Sequence, residues 1–161
     1  MTTTSEAIAI AGVRENFKFL VLEVTKLLED TQRQLADPRD EMIKKIASRD
    51  DYIDNLKSMI ENKCFRILTN EDLDVGTVDL IRAINTSSNN LERIADFGVN
   101  IVGQIRFIAD LELLHRFDPE PFFTAIFAAI AVIEDALFRR DMSLALQICR
   151  AELETDELYV E

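Results

Sequence analysis

Residues 85–100 read NTSSNNLERIADFGVN, and how their polar and apolar positions alternate decides the fold. At about 100° per residue, Asn85, Asn89, Glu92, Asp96 and Asn100 gather on one face of a helix. Leu91, Ile94, Ala95, Gly98, Ile101 and Val102 take the other side, as core positions. The wet face carries two carboxylates and three amides with no lysine, an uncommon way to solvate a helix.

Working outward, the same helix extends back to Asp74 or Gly76 and forward to about Leu114. Its apolar face adds Val78, Ile81, Ile84, Ile105 and Ile108. HRFDPEP ends it, with two prolines and Asp118 as a candidate N-cap. Upstream, Val13, Phe17, Leu20, Val24, Leu27, Leu28 and Leu35 mark a first helix, beginning at Ser5 or Val13. ADPRD breaks it, with Asp37 suited to cap a second helix and Pro38 to its first position. That helix runs to about Leu68, with Ile43, Ile46, Ile53, Leu56, Ile60, Cys64 and Ile67 inside. At about 1.5 Å per residue it exceeds ~40 Å. Short breaks between three long helices force antiparallel neighbours.

Downstream, Phe122 to Arg139 is apolar nearly all round. Asp141 caps a last helix with Met142, Ala145, Ile148, Cys149 and Leu153 on its apolar face. The expected fold is all-α: an antiparallel three-helix bundle over residues 1–116, followed by a helical hairpin over 117–161. Two helices enclose no core alone, so the hairpin must lie on the bundle or on another chain. This predicts a homodimer.

Composition narrows the function. A net charge of −12 argues against nucleic acid and permits cations or a basic partner surface. All six lysines fall at or before Lys63, leaving arginine alone to carry positive charge beyond it. The opening MTTTSEAIAIAG lacks the basic region and apolar core of a signal peptide. The most apolar run, Phe122 to Ile133, is shorter than the about 20 residues that span a bilayer. Cys64 and Cys149 read as reduced core residues. The expectation is a cytoplasmic protein without direct membrane insertion. No nucleophile sits in a turn beside a histidine and no glycine-rich phosphate loop occurs, so enzymatic activity is not expected.

Two stretches carry a family resemblance. RDDYIDNLKSMIENKCFRILT (49–69) followed by NNLERIADFGVNI (89–101) resembles the PhoU family of phosphate-signalling proteins. The matched features are Ile53-Asp54, Ile60-Glu61 and Cys64, then Leu91 to Asp96 and Asn100-Ile101, within about Arg14 to Phe107. ALFRRDMSLALQICRAELETDELY (136–159) resembles the start of a second such repeat. The resemblance implies a regulator that contacts phosphate transporter components or an associated sensor kinase. A related setting is an accessory module of a sodium–phosphate or potassium transporter.

The resemblance also implies metal binding at Glu92 and Asp96, an i,i+4 carboxylate pair suited to Mg, Mn, Fe or Zn ions. Asp54, Glu61, Asn89 and Asn100 are second-rank candidates. Two family ligands are replaced here: an Asp before the Glu by Asn90, and a His after the Asp by Phe97. A competing motif is Glu112 with His115, the Glu-x-x-His spacing of di-iron or metal-storage bundles. His115 is the only histidine, so such a site needs a symmetric dimer.

Overall fold

The computed structural model describes residues 4–69, 72–105, 107–108, 116 and 118–160. Its elements are α1 (Thr4–Ala36), α2 (Asp40–Leu68), α3 (Val75–Ile105), α4 (Glu120–Phe138) and α5 (Met142–Val160). The helices α1, α2 and α3 pack on one another as an antiparallel bundle, and no strand occurs among the described residues. Val13, Phe17, Leu20, Val24 and Leu27 of α1 meet Ile46, Ile53, Leu56 and Ile60 of α2. Ile81, Ile84, Leu91, Ala95 and Val102 of α3 complete the core. Each set follows three- and four-residue steps, so one stripe per helix is buried and its flanks stay wet.

The α1–α2 turn is closed by the buried Gln34. Its amide donates to Arg39 O at 3.0 Å and accepts from Arg39 N at 3.0 Å. The first turn of α2 differs from expectation. Arg39, extended at φ −136°, takes the N-cap position without a side-chain cap. The Asp37 carboxylate instead accepts from the Arg39 guanidinium at 2.9 Å. Asp74 caps α3 by accepting from Thr77 N at 3.0 Å and from the Thr77 hydroxyl at 2.7 Å.

Two expected boundaries shift. α3 stops at Ile105 rather than near Leu114, tightening through Phe107 N to Gln104 O and Ile108 N to Ile105 O. Residues 109–115 lie outside the described residues, and with them Glu112 and His115. α4 spans 19 residues, longer than its apolar run, and by length and composition it is long and apolar enough to cross a bilayer. Asp118 still caps it in effect, accepting from Glu120 N at 3.0 Å.

The α4–α5 hairpin docks on the bundle through α4, which packs on α1 and touches α3. Phe138 meets the Phe17 ring edge-on at 5.9 Å and receives the Arg14 guanidinium at 4.9 Å. Arg14 also pairs with Glu134 at 3.2 Å. The hairpin turn places Arg140 at φ 54°, with its guanidinium on Gly76 O at 2.9 Å. Asp141 caps α5 through Ser143 N and Leu144 N.

Four expected core positions are open. Cys149 is exposed, as are Met142 and Leu153, because α5 packs on α4 alone among the described elements and has only one covered face. Ile101 is 42% exposed, because α4 leaves α3 uncovered at that end. An apolar cleft of about 720 Å³ results, lined by Leu28, Leu35, Phe97, Ile101, Phe122 and Ile126.

Glycine at 98 is set by the α1–α3 approach. A Cβ there would fall 2.7 Å from Leu27 Cδ2 and 3.1 Å from Thr31 Oγ1, both on fully buried residues. Mid-helix glycine costs about 1 kcal/mol against alanine, so the close contact outweighs the propensity. Gly98→Val is expected to destabilise the protein by about 1–3 kcal/mol in urea unfolding. An unchanged midpoint would contradict the close approach.

Candidate site: an acidic seam between α2 and α3

Because α2 and α3 run antiparallel, the middle of one faces the middle of the other, and their polar flanks meet beside the core. Asp50 and Asp54 lie one turn apart on α2; Glu92 and Asp96 lie one turn apart on α3. Asp50 is the electrostatic centre. Its pKa is raised from 3.8 to about 6, first by burial and then by the charges of Asp96, Asp54, Asp51 and Glu92. Its Oδ1 is buried without a hydrogen-bond partner among the described residues. One cation enters the seam: Lys57 Nζ lies 3.6 Å from Glu92 Oε1, both largely sheltered.

The neighbouring α1–α2 seam is built oppositely. There the buried Asp30 meets Lys45 at 2.9 Å and Arg33 at 3.2 Å, while Arg49 pairs with Glu23. Arg49 and Asp50 are adjacent in sequence, so about 100° of helical rotation sends one side chain to each seam.

The positions expected from sequence separate accordingly. Glu92 and Asp96 both act on Asp50, and Asp54 joins them. Glu61 stays outside this group. Its charge acts on Cys64, whose thiol is pushed up to about 11 mainly by burial. Asn89 is half-buried, while Asn100 is exposed and lines the apolar cleft beside Phe97 and Ile101. Asp50 was not singled out by motif reasoning; its i,i+4 spacing to Asp54 was the available signal. Among the described residues, no three His, Cys, Asp or Glu side chains gather where they hold a metal ion. The donors nonetheless suit a hard cation in kind, being carboxylate oxygens with one buried oxygen unsatisfied. Asn90 and Phe97, both exposed, bring no carboxylate or imidazole to this set.

Fold and seam together define an all-helical bundle protein with a concentrated acidic face and no nucleophile–base pair among the described interactions. The PhoU domain matches residues 20–105, more than half of the chain. The chain therefore belongs to the PhoU family. It is 26% identical over 139 residues to the "Phosphate-specific transport system accessory protein PhoU homolog 1" of Thermotoga maritima. That alignment covers 84% of this chain and 59% of the relative's length. No solved structure gives a significant match.

The raised pKa of Asp50 has a definite sign in stability. Its folded-state carboxyl holds a proton more tightly than the unfolded one, so this stabilisation is complete below about 3.8 and lost as pH rises through about 6. Asp50→Asn is expected to raise the urea midpoint at neutral pH relative to wild type, with the difference shrinking as the pH is lowered toward 4. A variant that tracks wild type across that window would contradict the assignment.

Proposed function

We propose that the protein is a cytoplasmic, non-enzymatic docking regulator of phosphate transport and phosphate signalling. What carries this reading is membership of the PhoU family, supported by the name of the Thermotoga relative, an accessory protein of a phosphate-specific transport system. The acidic seam supplies the chemistry of contact. Among the described residues its four carboxylates meet one lysine and attract a basic surface on a partner; the relative's name points to a phosphate transporter component, and an associated sensor kinase is the second partner class. The chain acts as a homodimer, because the α4–α5 hairpin leaves apolar surface uncovered on one copy.

The same seam is proposed to hold a divalent or iron cation at the Glu92–Asp96 pair. When bound, such an ion supplies positive charge that offsets the mutual repulsion of these carboxylates. The protein's own part is to keep the two helices in register, to orient the carboxylates, and to release Lys57 from Glu92.

Two outcomes are expected. In a strain lacking the gene, wild type restores phosphate-dependent control of uptake and a Glu92→Lys/Asp96→Lys variant does not; full restoration by that variant would remove the seam from the function. In elemental analysis of the purified protein, wild type retains metal that Glu92→Gln/Asp96→Asn loses. Equal, negligible metal in both would end the cation reading and leave docking intact.

A further inference from the structure

The outer side of the α1–α2 pair, opposite α3, carries exposed apolar side chains between basic ones. Two contacts set its register: Lys63 donates to Gly12 O at 3.1 Å, and Lys45 pairs with Asp30 at 2.9 Å. With the helices antiparallel, Phe19 on α1 then falls level with the stretch between Tyr52 and Met59 on α2, and Leu22 follows about one turn along. Each is about half exposed: Phe19 52%, Leu22 45%, Tyr52 49% and Met59 49%. Ile8, also exposed, extends this apolar centre toward the start of α1. The hairpin does not reach it. Phe17 is the residue that meets Phe138, and two residues of helix turn Phe19 about 200° away from that contact.

Cations stand at both ends of this centre: Lys63 and Arg66 at one, Lys26, Arg33, Lys44 and Lys45 at the other. The acids on the same side are Glu15, Glu23, Asp30 and Glu41. Two of them are already held, Glu23 by Lys26 and Arg49, and Asp30 by Arg33 and Lys45. The face is therefore positive in a chain whose net charge is −12. Those ion pairs fill the space between the two helices, so the face is a layer and not a groove. A layer with an apolar centre and basic ends suits a flat anionic surface. Aromatic side chains settle among lipid headgroups, while lysine stems reach past them to the phosphates. The chain's overall negative charge does not prevent contact, because charges beyond about 8 Å are screened at physiological salt. It instead turns the acidic α2–α3 seam away from such a surface and selects this face.

We propose that the α1–α2 face binds the surface of an anionic phospholipid membrane, with Phe19, Leu22, Tyr52 and Met59 among the headgroups and Lys44 and Arg66 on lipid phosphates. This inference uses other residues than the docking reading given above and leaves the α2–α3 seam free for a partner.

The test is co-sedimentation of the full chain, at physiological salt, with vesicles of phosphatidylcholine alone or with about one-third phosphatidylserine. Wild type is expected to sediment with the second kind and not with the first. Lys44→Glu/Arg66→Glu is expected to lower the affinity at least about tenfold. Phe19→Ser/Met59→Ser is expected to lower it by a similar factor, through lost apolar contact. Helical circular dichroism should be unchanged in both, as all four positions are exposed. Arg93→Glu/Arg150→Glu makes an equal change of charge at exposed positions of α3 and α5 and is expected to bind as wild type does. Equal loss in the two charge-reversed variants would overturn this face as the binding site. Wild type that sediments with neither vesicle would overturn the membrane, and its retention on polyglutamate through Lys44 and Arg66 would assign the face to an acidic protein segment instead.

Discussion

The repulsion between Asp50 and Asp96 across the α2–α3 seam exists because an apolar core holds their helices together. Ile53, Leu56 and Ile60 on α2 are buried against Leu91, Ala95 and Ile84 on α3, and the acids ride on the adjacent flanks. Moving the helices apart would relieve the charges but expose these side chains, each contributing about 1.5–3 kcal/mol when buried. Burial therefore wins, and the charge adjusts instead: Asp50 retains its proton to about pH 6. The close contact of Gly98 with Leu27 and Thr31 adds to this, seating α3 on α1 and fixing which of its faces turns toward α2.

The two seams of α2 show that the acidity is local. Toward α1, Asp30 and Glu23 are matched by Lys26, Arg33, Lys45 and Arg49. A half-exposed ion network of that kind adds little net stability. Toward α3, among the described residues, Lys57 pairs with Glu92 while Asp50, Asp54 and Asp96 crowd beside it. A protein with a net charge of −12 has no need to gather more negative charge for solubility. Concentrating it along one seam between two packed helices makes the local potential there strongly negative.

The bundle was legible in the sequence because its helices are long and each has a single buried stripe. The α2 positions Ile46, Ile53, Leu56, Ile60, Cys64 and Ile67 are all buried as their spacing requires. Glu92 and Asp96 were legible through their own spacing and through the PhoU-like residues around them. Periodicity shows which face of a helix is apolar, however, and not whether another element covers it. Ile101, Met142, Cys149 and Leu153 lie on correctly read apolar faces and are nonetheless exposed. Asp50 was harder to find because its perturbation comes first from burial and then from Asp96 on a second helix distant in sequence. The α2 cap was misread at Asp37 because Gln34 closes the turn by holding Arg39 at both its N–H and its carbonyl.

The seam's defining property is a carboxylate whose ionisation is held back first by burial and then by the charges beside it. Carbon-detected NMR titration of the Asp50 carboxyl measures this directly, in wild type and in Asp96→Asn. The account predicts a midpoint of about 6 in wild type, moving toward the ordinary value of 3.8 when Asp96 loses its charge. An Asp50 midpoint at the ordinary value in wild type would contradict it, since the helices would then not hold their acids together.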